Sequence, residues 1–338
     1  NVKAGLIAIF DALKASGRTV PVMLSVTIEP MGTMLAGQTI DALYASVMHF
    51  DLLSVGMNCA TGPDFMTDHI RSLSEISRFA ISCMPNAGLP DVDGKYNETP
   101  EILSKKVERF VDNGLVNILG GCCGTTPEHI SAMRTMLDQK KKPRELSKTA
   151  LSASLISGLE SFVVSEDKNP IIVGERTNVI GSAAFKKMII AGEFEQAAEI
   201  GRKQVRAGAH IVDVCLANPD RNELEDMNRF LEILVKKIKA PLMIDTTDAK
   251  VLEESLKRIQ GKCIYNSINL EDGEERFEKV VPILRKYGAA AVVGCIDDDP
   301  QQGMGVSVER KLAIAERSHK LLTEKYGFPE EDIVFDPL

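Results

Sequence analysis

The chain has 338 residues, with 40 Lys and Arg against 48 Asp and Glu, a formal charge of −8 and a length that suggests two domains. With no basic block beyond Lys140-Lys141-Lys142, nucleic acid is not an expected partner. No stretch approaches the roughly 20 apolar residues of a membrane span, and the opening Asn1-Val2-Lys3-Ala4-Gly5 lacks a signal-peptide core. Seven cysteines without framework spacing suit a reducing, cytoplasmic setting.

In chain order, the first half offers strands at Val22–Ile28, Leu52–Asn58, Phe79–Met84 and Val116–Leu119, with helical patterns such as Glu101 to Asn113 between them. This βαβα order predicts a parallel sheet. The second strand runs into Cys59 and the turn Ala60-Thr61-Gly62-Pro63. The fourth runs into Gly120-Gly121-Cys122-Cys123-Gly124, and Thr126-Pro127-Glu128 then reads as a helix start with Pro at its first position. Adjacent cysteines do not easily bridge each other. Both can ligate one metal if the backbone turns sharply, which the glycines allow. The pair falls at a strand's C-terminal end, where barrel enzymes keep their chemistry. Cys59 is placed to join it, and three thiolates with one exchangeable position fit a substrate-binding zinc better than a closed structural one. The competing reading is that all three are ordinary buried cysteines, as Cys83, Cys215, Cys263 and Cys295 in apolar strands are expected to be. His129, six residues past Cys123, reads as a helix-facing or solvated side chain rather than a ligand.

A Ser/Thr-rich linker is expected over 141–168, with the Lys140–Lys142 run as a solvated helix end and Leu155–Glu160 as an apolar island packed against one domain. Six more strands follow at Ile171–Gly174, Ile211–Cys215, Leu242–Asp245, Cys263–Ser267, Ala290–Cys295 and Ile333–Asp336. Asp213, Asp245, Asn266 and Asp336 lie at or near their C-terminal ends. Singly, each fits a helix N-cap; on strands of one barrel they converge at one mouth and point to a ligand site. Carboxylates and an amide suit an amino-pyrimidinone edge, whereas phosphate would call for Gly-rich nests or Lys and Arg. Asp297-Asp298-Asp299 is expected to be a solvated loop.

The fold expected is α/β: two (β/α)8 TIM-type barrels joined by a linker, over residues 1–140, 141–168 and 169–338. Four and six strands fall short of the eight a barrel needs. Each barrel is therefore expected to be incomplete, the chain an internal piece of a longer protein, and the open strand edges an aggregation risk.

Residues 55–63, 85–90 and 114–130 resemble the C-terminal half of a zinc-dependent homocysteine-binding domain shared by cobalamin-dependent methionine synthases and betaine–homocysteine methyltransferases. Residues 173–182 (Val-Gly-Glu-Arg-Thr-Asn-Val-Ile-Gly-Ser) resemble the opening of the methionine synthase folate domain, which the betaine enzymes lack. The resemblance implies zinc on Cys59, Cys122 and Cys123 with the homocysteine thiol in fourth place. A free thiol is only about 3% thiolate at pH 7, and zinc removes that penalty. It also implies a pterin held by Asp245, Asn266 and Asp336, with Ser182 and Asn178 nearby and Asp213 in the floor. The reaction implied is methyl transfer from 5-methyltetrahydrofolate to homocysteine through cobalamin. The cobalamin-binding and reactivation domains of the parent protein are partners outside this sequence, which has no Asp-x-His-x-x-Gly run and is not expected to turn over alone. The alternatives are a zinc-dependent homocysteine methyltransferase with another methyl donor and a non-catalytic zinc-stabilised scaffold.

Overall fold

A computed structural model describes residues 1–140, 144–146 and 153–338; Lys141, Lys142 and most of the Ser/Thr-rich stretch lie outside the described residues. The chain divides into two units, one of Ala12–Tyr44 with Phe50–Leu151 and one of Asn1–Asp11, Ala45–His49 and Ser152–Leu338. Helices α1 (Val2–Ser16) and α2 (Ile40–Val47) each contribute residues to both.

In the first unit β1 (Met23–Val26), β2 (Ser54–Asn58), β3 (Ala80–Met84) and β4 (Ile118–Leu119) form a parallel sheet in chain order. Helices α3 (Pro63–Ile76), α4 (Pro100–Asp112) and α5 (Pro127–Asp138) alternate with them. All three open on proline, whose fixed φ suits a first helical turn that needs no N–H. Gly56 stands mid-strand in β2 because a Cβ there would run into the Ser82 carbonyl of β3.

The second unit opens on an antiparallel hairpin, β5 (Leu155–Ser157) with β6 (Ser161–Val163). A six-stranded parallel sheet follows, again in chain order: β7 (Val173–Asn178), β8 (Ile211–Cys215), β9 (Leu242–Asp245), β10 (Ile264–Leu270), β11 (Ala290–Asp297) and β12 (Ile333–Asp336). Its helices are α6 (Ala183–Ile190), α7 (Phe194–Arg206), α8 (Glu223–Leu234), α9 (Ala249–Arg258), α10 (Glu275–Tyr287) and α11 (Val308–Lys320). They pack on the sheet through Phe185, Phe230, Leu252 and Phe277, all fully buried. A buried ion pair, Lys262 Nζ to Asp332 at 2.6 and 2.7 Å, ties the start of β10 to the approach of β12.

The apolar island of the expected linker is thus regular structure. Ile156 packs against Ile211, Ile264, Ala290 and Val292, at or near the N-terminal ends of β8, β10 and β11. The hairpin seals the end of the sheet opposite the strand termini that carry the candidate ligands. Neither sheet closes on itself among the described residues. The architecture is α/β with parallel strands in the barrel order, and no described helix is long and apolar enough to cross a membrane.

Candidate functional site

Beyond β2 the chain turns at once: Cys59 and Ala60 hold φ of 62° and 47°, left-handed values that cost L residues energy and need support from their surroundings. The support is visible. Cys59 N–H donates to the Met84 carbonyl at 3.1 Å and Thr61 N–H to the Cys59 carbonyl at 2.6 Å. Beyond β4, Cys122 N–H donates to the Pro85 carbonyl at 2.9 Å and Cys123 N–H to Asn86 Oδ1 at 3.0 Å. The loop closes at Gly124, φ 77°, where any Cβ would overlap the Tyr96 ring.

These turns bring three sulfurs together. Cys59 Sγ lies 3.5 Å from Cys123 Sγ, and Cys122 Sγ 3.9 Å from it. All three fall within 4.8 Å of one another, the one such group of potential metal-ligating side chains among the described residues. A tetrahedral zinc with bonds of about 2.3 Å would space its sulfurs by about 3.8 Å, so the set fits that ion as it stands. The Cys59 thiol is drawn down by the Ala60 N–H, and burial pushes the Cys122 thiol up. The Tyr96 hydroxyl is likewise raised, by burial and then by Cys123. Asn86 and Tyr96 carry no metal-ligand spacing in the sequence. Asn86 stood out only within the Pro85–Pro90 stretch, and Tyr96 not at all.

His129 is buried rather than solvated, and both ring nitrogens are used. Nδ1 accepts from Thr126 N–H at 3.1 Å and Nε2 donates to the Glu98 carbonyl at 2.8 Å. It closes the α5 capping box in the place where Glu or Gln is usual. Cys83, Cys215, Cys263 and Cys295 are all buried, and burial holds the Cys83 thiol up at about 12.

In the second unit the amide of Asn178, at the end of β7, is the hub. Its Oδ1 accepts from Ile180 N–H at 2.8 Å and Gly181 N–H at 3.0 Å. Its Nδ2 then donates to Asp213 Oδ2 and Asp245 Oδ2, each at 3.2 Å. Asn266 is the register partner of Asp245, and Asp213 Oδ1 is buried without a hydrogen-bond partner among the described residues. Burial, then the Asp245 charge, push the Asp213 carboxyl up to about 7. Asp245 and Glu223 are raised as well, in each case mainly by burial.

Ser182 and Asp336 have local partners instead. Ser182 Oγ accepts from Phe185 N–H at 3.3 Å as the N-cap of α6, and Asp336 Oδ1 takes the Leu338 N–H at 2.8 Å. Of the acidic triplet, Asp297 departs from the solvated loop expected. It is buried, with Arg310 Nη2 at 2.5 and 2.6 Å and Arg317 at 3.6 Å. The reason is that β11 runs on to residue 297, carrying Asp297 against the guanidinium groups of α11.

Residues 2–137 match the family model for homocysteine S-methyltransferase, and residues 174–338 match the model for pterin binding enzyme. Among solved structures the chain is similar to dihydropteroate synthase from Vibrio fischeri ES114, at 17% identity over 55% of this chain and 67% of that one, TM-score 0.40. The Yersinia pestis dihydropteroate synthase matches at 17% identity, 51% and 58% coverage and TM-score 0.35. That of Stenotrophomonas maltophilia matches at 18%, 49% and 59%, TM-score 0.37. The chain thus spans about 58 to 67% of the length of these proteins. One chain carries a homocysteine S-methyltransferase domain followed by a pterin-binding domain, the two domains of the N-terminal half of methionine synthase.

Proposed function

We propose that this chain supplies the two substrate sites of a cytoplasmic methionine synthase. One, within residues 1–140, takes homocysteine; the other, within residues 169–338, takes 5-methyltetrahydrofolate. The observation that carries the reading is the three-sulfur cluster on a chain that also matches a pterin-binding family. Cys59, Cys122 and Cys123 would hold zinc, and the homocysteine sulfur would take the fourth place. When bound, zinc keeps a substrate thiol deprotonated at neutral pH, and three thiolate ligands leave that sulfur electron-rich. The chain's own part is to hold the sulfurs through the N–H groups of Cys59, Cys122 and Cys123 and to shape the mouth around Asn86 and Tyr96.

Asp245, Asn266 and Asp336 would face the pterin ring, with Ser182 and Asn178 beside it and Asp213 in the floor. A carboxylate takes two neighbouring N–H donors, and an amide both donates and accepts. The methyl group would pass through cobalamin on a further domain of the parent protein, kept active by a reactivation domain. On this reading the chain alone does not turn over.

Zinc content by elemental analysis, with sulfur counting by X-ray absorption before and after L-homocysteine, tests the reading. One zinc with three sulfurs, rising to four, is the expected result. No zinc would sink it. Zinc with a fixed count and no methylfolate binding would favour a zinc-stabilised scaffold.

A further inference from the structure

The pterin-side cluster has a property that its ligand-facing residues do not explain. The Asn178 amide cannot turn over, because its oxygen is fixed by two backbone N–H donors and the reverse orientation would set NH2 against them. Its two hydrogens therefore go to two different carboxylates, Asp213 and Asp245. Asp213 is 2% exposed, and its main-chain carbonyl accepts from the Thr177 hydroxyl, which holds the residue in place.

The groups that act most strongly on Asp213 are acidic or neutral: Asp245 from β9, Asn178 and Glu175 from β7 and Asn266 from β10, with Cys215 on its own strand. Glu223, at the start of α8, adds its charge to Cys215 and Asp245. No Lys, Arg or His pairs with Asp213 among the described residues. Two carboxylates that share one amide without a cation keep one proton between them, and it belongs on the more buried member. Asp245 is only half-buried.

We propose that Asp213 is a proton-bearing positioning residue: it stays neutral while Asp245 is ionised, and a pterin binds tightly only in that state. The inference rests on the pterin reading of the second unit. A ring seated over Asp245 removes the remaining water from the mouth, so ionising Asp213 is harder in the bound site than in the free one. By linkage, binding then takes up a proton wherever the free site has lost it, and affinity falls as pH rises. The raised carboxyl of Asp213, near 7, sets where the fall begins.

The test uses the whole 338-residue chain. Carboxyl carbons and the Asn178 side-chain amide are followed by NMR from pH 5.5 to 9, and 5-methyltetrahydrofolate binding by calorimetry over the same range. Expected is one carboxyl titrating near 7 that is absent in Asp213→Asn, with the Asn178 amide moving at the same midpoint in the unmodified chain. Methylfolate affinity should fall by up to about tenfold per pH unit above that midpoint, while the profile of Asp213→Asn should be flat over the same range. The proposal is overturned if no carboxyl titrates near neutrality, if Asp213→Asn keeps the pH dependence, or if it loses as much binding as Asp245→Asn. A carboxyl that titrates in a chain binding no methylfolate at any pH would uphold the proton and overturn the pterin reading.

Discussion

The two candidate mouths gather like-charged groups by different means. In the first unit three thiols sit on loops beyond the strands, two of them partly and one well exposed, brought within 4.8 Å by left-handed turns and glycines. In the second, carboxylates stand on the strands themselves, at least half-buried and tied by one amide. Three thiolates that close repel too strongly to coexist without a cation. Two carboxylates need only a proton. On the readings proposed above, a metal and a proton answer the same electrostatic problem at two scales, and the comparison can be broken at either end.

The largest effect is expected from Cys123→Ala, which removes one of three sulfur ligands. Zinc affinity should fall roughly a hundredfold or more, read by competition with a chelator. Full zinc occupancy in the variant would show that the cluster is not the ligand set. Next comes the proton. A carboxyl whose folded value is raised contributes stability below its unfolded value and loses it as pH rises through the folded one. Asp213, at about 7, should therefore make the second unit less stable at pH 8 than at pH 4, by at most about 4 kcal/mol. Denaturant melts at the two pH values check this, and Asp213→Asn should remove most of the difference. A slope unchanged in that variant would move the proton elsewhere.

Smaller still is Gly124→Ala, which forces a Cβ against Tyr96 at positive φ. It should cost the first unit roughly 2 kcal/mol and weaken zinc binding without touching methylfolate binding. The smallest effect is expected from His129→Gln. Glutamine can keep the helix cap, so about 1 kcal/mol or less is lost and zinc content stays unchanged; a drop in zinc would make His129 a ligand after all.

Much of this was legible in the sequence because the strands are short apolar runs bounded by turn residues. All ten parallel strands fall where such runs predict them, with ends shifted by a few residues. The hairpin Leu155–Val163 was not legible as strands, since two strands of three residues are too short to show a period. The gathering of the three cysteines was legible because Cys59, Cys122 and Cys123 follow strands of one parallel sheet and so emerge at one mouth. Asn86 was not, because it acts through a backbone N–H that any residue at 123 would present. The carboxylates were visible, but their linkage through Asn178 was not. It joins side chains of three different strands, β7, β8 and β9, a contact that no spacing along the chain encodes. Asp297 shows the opposite limit: a strand two residues longer than its apolar run turned a loop acid into a buried one.

The backbone hydrogen bonds under Cys59, Cys122 and Cys123 have one more consequence. Metal sites that fold only around their ion collapse when it leaves. Here the sulfurs hang from N–H groups bonded to Met84, Pro85 and Asn86, all in or just beyond β3, and none of those bonds involves an ion. The site is a socket and not a knot. If the cluster holds zinc as proposed, a chelator should empty it and added zinc refill it with the sheet intact, so loss of the ion by competition would be reversible.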